Sequence, residues 1–256
     1  EVRERRQAEE LLQKNREELR ASLDKEKELG ELKSRFVTMA SHEFRTPLST
    51  ILSSASLVSK YNGGDQLEQR TKHLERIKYS VNNLTAILND FLSIGKLEEG
   101  KVHCNPSEFD MVSFATELTS EMRELTKRGQ TITHVDERAE SKVVLDKNLT
   151  RNICINLLSN AIKYSDEGKN ILFKTGVTGG KLEISVTDQG IGIPETEQQH
   201  IFDRFFRANN AVNIQGTGLG LNIVKKYAEL MGGQIFFASQ QGKGTTFHVT
   251  LPQSIE

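Results

Sequence analysis

The segment Ser41-His42-Glu43-Phe44-Arg45-Thr46-Pro47-Leu48 sets an imidazole beside a carboxylate, a hydroxyl one helical turn later and a proline after that. Neutral imidazole is a nucleophile near pH 7, and a neighbouring carboxylate can hold or take its second proton. Apolar residues flank the segment at helical spacing, Phe36, Met39 and Ala40 before it and Leu48, Ile51 and Leu52 after it. On such a helix His42 and Thr46 share a face. Pro47 has no N–H for the carbonyl of Glu43, which predicts a local bend just past the histidine. A zinc-protease helix would need a second His at position 46, where this chain has Thr.

A second set of residues with chemical potential lies about a hundred positions downstream. In Asn156-Leu157-Leu158-Ser159-Asn160-Ala161-Ile162-Lys163-Tyr164, the residues Asn156, Asn160 and Lys163 fall on one helical face. Amide oxygens are hard neutral ligands suited to Mg²⁺, and an ammonium suits phosphate. In Asp188-Gln189-Gly190-Ile191-Gly192-Ile193-Pro194 the carboxylate can accept from an exocyclic amine, and the glycines let the backbone approach a flat base. Phe202-Asp203-Arg204-Phe205-Phe206-Arg207 carries three aromatics that can pin a loop and an arginine that can reach a phosphate. Gly216-Thr217-Gly218-Leu219-Gly220-Leu221 exposes backbone N–H groups at the start of a helix. It is not a Walker loop, because no Gly-Lys-Ser/Thr follows, and Leu221 stands where a dinucleotide fingerprint needs its third glycine. Taken singly, these segments also fit a chance Asn pair, a simple turn or a solvated arginine.

The elements that must position these groups fall into two blocks. Residues 1–34 are mostly helix formers with alternating charge; Leu12 and Leu19 are one heptad apart, and Leu29, Leu32, Phe36 and Met39 follow at 3-4-3 spacing. This predicts a parallel coiled coil with a weak seam, polar at Asn15 and Glu26, whose two packings are close in energy. A helical hairpin follows over 35–98, turning at Tyr61-Asn62-Gly63-Gly64-Asp65, with the stripe Leu74, Ile77, Val81, Leu84, Leu88 and Phe91 on its second helix. Two helices with single apolar faces cannot bury both alone, which predicts a dimeric four-helix bundle. Residues 99–108 read as a hinge, and 109–256 as an α+β sandwich without alternating βαβ units, with a helix over 110–127.

The His-Glu-x-x-Thr-Pro-Leu pattern resembles the phosphoacceptor box of sensor histidine kinases. The four downstream segments, in this order, resemble the N, G1, F and G2 boxes of the Bergerat-type (GHKL) ATP-binding fold shared with Hsp90, DNA gyrase and MutL. The resemblance covers nearly the whole chain from about Leu32 to Leu251. It implies an ATP-dependent protein-histidine kinase core, homodimeric through the hairpin and coiled coil. His42 would receive the phosphoryl group and pass it to an aspartate on a response-regulator receiver domain, with Glu43 and Thr46 assisting. ATP would be held by Asn156, Asn160, Lys163, Tyr164, Asp188, Gly190, Gly192, Ile193, Phe202, Arg207, Gly216, Thr217, Gly218, Leu219, Gly220 and Leu221, and Mg²⁺ by Asn156 and Asn160. Residues 194–217 would form a mobile lid. Hydrolysing relatives carry a Glu base at the position of Asn156, so nucleotide here should wait for another nucleophile. The alternatives are a nucleotide-gated signalling scaffold and a phosphatase-dominant member.

Composition narrows the rest. The chain has 256 residues, a net charge of −1 and no Trp, which gives no support for nucleic-acid binding. Cys104 and Cys154 are far apart and predict free thiols in a reducing, cytoplasmic compartment. No apolar run approaches the roughly 20 residues of a membrane span. The chain opens on Glu1 without a signal peptide, so a fragment of a longer protein is expected, with its sensor domain outside.

Overall fold

The computed structural model describes residues 2–61, 66–137, 142–212 and 214–253, and for part of the first helix the backbone alone. The chain divides into two compact units, Glu1–Val81 and Asn82–Glu256. Helix α1 (Val2–Lys60) is unbroken through Pro47, and α2 (Leu67–Glu98) starts in the first unit and ends in the second. The expected turn residues Asn62–Asp65 and the side chains of Leu29, Leu32 and Phe36 lie outside the described set, while Leu12 and Leu19 are exposed. Around His42, hydroxyls fold back on the helix: Ser41 donates to the carbonyl of Val37 at 2.8 Å and Thr50 to that of Thr46 at 3.1 Å. Such bonds satisfy the hydroxyls without breaking the helix.

Helix α2 buries His73, Ser80, Ile87 and Ile94, seven residues apart, and these are nearly inaccessible. One position later, Leu74, Val81 and Leu88 remain 43%, 45% and 49% exposed. Polar His73 and Ser80 are thus buried in the first unit and Ile87 and Ile94 in the second, Ile94 within the domain core, while the adjoining apolar positions stay open. Among the described residues no helix is long and apolar enough to cross a membrane.

The second unit is built on a five-stranded sheet of order β2-β4-β5-β7-β6, from β2 (Thr131–Asp136), β4 (Asn170–Thr178), β5 (Lys181–Thr187), β6 (Gln234–Gln240) and β7 (Gly244–Pro252). Alternation along the strands turns Ile171, Phe173, Leu182, Ile184, Val186, Phe247, Val249 and Leu251 into one core. Helices α3 (Met111–Arg123), α4 (Lys147–Tyr164) and α5 (Gly220–Leu230) contribute Phe114, Leu118, Ile153, Leu157, Leu158, Ile223 and Val224 to it. Asp146 caps α4 by accepting the N–H groups of Asn148 and Leu149, both at 2.9 Å. Its other oxygen accepts the N–H of Asn105 at 2.8 Å, which ties down the segment leaving α2.

Two local features differ from the sequence expectation. Residues 107–110 form β1 (Ser107–Asp110), paired antiparallel with β3 (Lys142–Leu145), and α3 is shorter than 110–127. Four residues are too few to display alternation, and only the register of Phe109 against Val143, both buried, fixes the strand. The large sheet also contains a parallel pair, β2 with β4, crossed over through β3 and α4, whereas its other neighbours are antiparallel. Cys104 and Cys154 are free thiols, and burial pushes Cys154 up to about 12, which leaves it inert.

Candidate nucleotide-binding and phosphoacceptor sites

Four stretches of the second unit interlock around the end of α4. Leu157, Leu158, Ala161 and Ile162 face the core, so Asn156, Asn160, Lys163 and Tyr164 remain half-buried at its margin. Asn156 donates its amide to the carbonyl of Asn152 at 2.9 Å. Its oxygen is turned toward Gly220, where a Cβ would come within 2.7 Å of it. A Cβ on Gly216 would likewise meet Lys163 Nζ at 2.2 Å. Gly216, four residues before α5, and Gly220, its first residue, thus lie directly against the polar groups of α4, with the α5 N-terminal backbone beside them. Lys163 also sits over the Tyr164 ring, 4.8 Å from its centroid, and burial raises the pKa of that phenol against the pull of Arg207.

The 188–193 loop is fixed from both sides. Asp188, nearly inaccessible, accepts the N–H of Gly190 at 2.8 Å and of Thr245 at 3.3 Å, both on Oδ1. Burial raises its pKa, and the two backbone bonds pull it back in part. Gly190 has no room for a side chain, since a Cβ would lie 2.3 Å from the carbonyl of Tyr164. Gly192 has φ +61°, and a Cβ there would lie 2.1 Å from the carbonyl of Gln240, the last residue of β6. Ile193 donates its N–H to Ser239 Oγ at 2.9 Å.

This contrast predicts two stabilities. Gly192→Ala combines an unfavourable φ with a backbone collision and is expected to destabilise the domain by about 2–4 kcal/mol. Gly242→Ala, at φ +76° with nothing within 4 Å, should cost only about 1 kcal/mol. Urea denaturation of the two variants against the unmodified chain measures both.

The 194–217 stretch holds a short 3-10 helix, Glu195–His200, and a second at Asn209–Ala211. Arg207 donates to the carbonyls of Ala211 and Val212, at 3.0 and 2.9 Å, and to that of Ile214. Its guanidinium therefore braces this stretch from within, while its charge also acts on Tyr164. Phe202 stacks edge-on against Phe237, and its carbonyl accepts from Asn222 of α5 at 2.8 Å. Phe205 is held at φ +63°, the only non-glycine residue with positive φ among those described, and its N–H bonds the carbonyl of Gly218 at 3.1 Å. Leu219 is fully buried beneath the glycines, and Leu221 packs against the core.

Sequence reasoning missed Asp90 of α2, which accepts the Thr217 hydroxyl at 2.9 Å. Its carboxyl is raised to about 6 because burial outweighs the Thr217 bond and the nearby Lys163 charge. It also missed Thr245, Ser239 and Gln198, the last bonded to the carbonyls of Ile193 and Ser239. In the first unit, His42 and Thr46 are exposed on α1 while Glu43 is buried, and Thr46 lies 3.5 Å from the His42 carbonyl. Among the described residues no cluster of three or more His, Cys, Asp or Glu could hold a metal.

Comparison with known proteins now bears on both units. The His Kinase A (phospho-acceptor) domain model matches residues 32–100, and the histidine kinase-, DNA gyrase B- and HSP90-like ATPase model matches 145–255. The chain belongs to the sensor histidine kinase family. It is 32% identical to the circadian input-output histidine kinase CikA of Synechococcus elongatus, over 86% of this chain and 30% of that protein. It is 34% identical to the signal transduction histidine-protein kinase BarA of Escherichia coli, over 91% of this chain and 26% of that protein. The chain thus spans less than a third of the length of these curated relatives. Its fold is shared with histidine kinase ThkA in complex with the response regulator protein TrrA, at TM-score 0.61 and 22% identity, covering 88% of this chain and 62% of that one.

Proposed function

We propose that this kinase core binds ATP between α4, the 188–193 loop and the start of α5, and transfers the γ-phosphoryl group to His42. The observation that carries the reading is the fit of Gly216 and Gly220 against Lys163 and Asn156, a glycine-lined cradle at a helix N-terminus beside an ammonium. Asp188 would read the adenine amino group with the carboxylate oxygen left over after Oδ1 takes two backbone N–H groups. Lys163 would offset charge on the phosphates. Amide oxygens of Asn156 and Asn160 suit a Mg²⁺ ion, and the Asn156 oxygen, turned toward Gly220, lies beside the glycine loop where the phosphates would sit. Such an ion supplies charge neutralisation on the phosphate oxygens.

In the transfer, an unprotonated ring nitrogen of exposed His42 attacks the γ-phosphorus, an N–P bond forms, and the bond to the ADP oxygen breaks. Glu43 would hydrogen-bond the other ring nitrogen and accept its proton as the reaction proceeds, which would stabilise the positive charge developing on the ring. By the resemblance, Asn156 would stand where hydrolysing relatives carry a water-activating carboxylate, so hydrolysis should compete little. The labile N–P bond suits onward transfer to a receiver aspartate, and the open Leu74, Val81 and Leu88 face supports pairing with a second copy.

The test combines γ-³²P-labelled ATP with a chase onto a receiver domain. Label should enter the kinase core, pass to the receiver, and be absent when the ³²P is in the α position. Thr46 lies one turn from His42, where it can orient water for receiver dephosphorylation. Thr46→Ala should therefore slow loss of receiver label by about tenfold or more while autophosphorylation stays within about twofold. Equal dephosphorylation rates would remove Thr46 from that role.

A further inference from the structure

The Thr217 hydroxyl has one proton to donate, and it goes to Oδ2 of Asp90 at 2.9 Å. The Thr217 hydroxyl oxygen in turn accepts the N–H of Leu219 at 3.2 Å, at the start of α5. Lys163 acts on Asp90 as its nearby positive charge, and its ammonium lies against Gly216. A hydroxyl, an ammonium and glycine backbone are the donors a phosphate would need here, and an oxyanion already faces two of them. That oxyanion is carried by α2, in the stretch that belongs to the second unit. Ile94 of the same stretch is buried in the domain core, Phe91 and Leu97 pack against it, and Glu98 pairs with Arg204.

We propose that the Asp90 carboxylate is a built-in competitor of nucleotide phosphate, so that docking of residues 82–98 of α2 and phosphate binding oppose each other. The inference rests on the ATP-binding reading given above. Carboxylate and phosphate are both oxyanions that seek the same donors, and two of them sharing one ammonium and one hydroxyl repel. Burial costs the Asp90 carboxylate more than Thr217 and Lys163 return, as its pKa of about 6 records, so the docked arrangement yields readily to a more highly charged oxyanion. Linkage makes the effect reciprocal: whatever draws 82–98 away from Thr217 tightens phosphate binding, and nucleotide loosens 82–98. The glycine-rich loop thereby senses the position of the helix that leaves the phosphoacceptor hairpin.

The experiment compares Asp90→Asn with the unmodified chain for binding of Mg·ATP and of adenosine, by calorimetry. Asn keeps an acceptor for Thr217 and removes the charge, so the fold is retained. Mg·ATP affinity is expected to rise about 5- to 10-fold in the variant, with adenosine, which has no phosphate, within about twofold. In the unmodified chain, Mg·ATP but not adenosine should speed amide exchange across residues 82–98. ATP affinity unchanged or weakened in Asp90→Asn, or a rise shared equally by adenosine, would overturn the competitor role and leave the ATP-binding reading standing. Absence of ATP binding by both proteins would overturn the two together.

Discussion

His42→Gln is expected to abolish stable phosphorylation of the kinase core while leaving its affinity for Mg·ATP within about twofold. Gln is polar and tolerated in a helix, and His42 is exposed on α1, so the substitution removes the nucleophile with little structural cost. Loss of an obligatory nucleophile removes the reaction rather than slowing it, an effect of at least about 10⁴-fold on the labelling rate. The nucleotide site lies in the second unit, on α4, the 188–193 loop and α5, and none of its groups is touched. Labelling and calorimetry on the same preparation therefore give opposite answers if the two units divide the work as argued. Parallel loss of nucleotide binding would mean that position 42 supports the fold rather than the chemistry.

Asp188→Asn should have the next largest effect, on binding instead of chemistry. Oδ1 of Asp188 is committed to the N–H groups of Gly190 and Thr245, and an Asn oxygen can keep both. The other position changes from an acceptor to an amide donor, which would face the donor amine of adenine. A buried donor opposed to a donor costs on the order of 3 kcal/mol, so Mg·ATP affinity should fall about 100-fold. The melting temperature should stay near that of the unmodified chain. Asp188→Ala removes the acceptor for two N–H groups as well and should lose stability, by about 1–3 kcal/mol. Since the native carboxylate repels the guanine carbonyl, the unmodified chain should prefer ATP to GTP, and Asn should erode that preference. Equal ATP affinity in Asp188→Asn would remove Asp188 from base recognition.

The parts of this fold and site that were legible in the sequence are those with local signatures. The phosphoacceptor segment and the four glycine- and amide-bearing segments each lie within about ten residues, and helical spacing sorted Asn156, Asn160 and Lys163 away from Leu157, Leu158 and Ile162. The buried side of those helices and the antiparallel β4–β5 and β6–β7 pairs match that pattern. What escaped depends on long-range pairing. Asp90 is one polar position among Leu88, Phe91 and Leu92, and its partner Thr217 is 127 residues away. Thr245 acts on Asp188 through a backbone N–H, which no side-chain pattern reveals. The parallel β2–β4 pair is separated by the 142–164 crossover, and short β1 lacks room for alternation. The engagement of Arg207 with three carbonyls in the 194–217 stretch follows from a turn that the residue types do not dictate.

The residue that carries the phosphoryl group decides the mechanism most directly. Unmodified chain incubated with Mg·ATP, digested at neutral or alkaline pH and analysed by mass spectrometry, should carry one phosphoryl group on the peptide containing Ser41-His42-Glu43, assigned to the His42 ring and lost on brief acid treatment. An acid-stable phosphoryl group on Ser41 or Thr46, or on any peptide lacking His42, would contradict it.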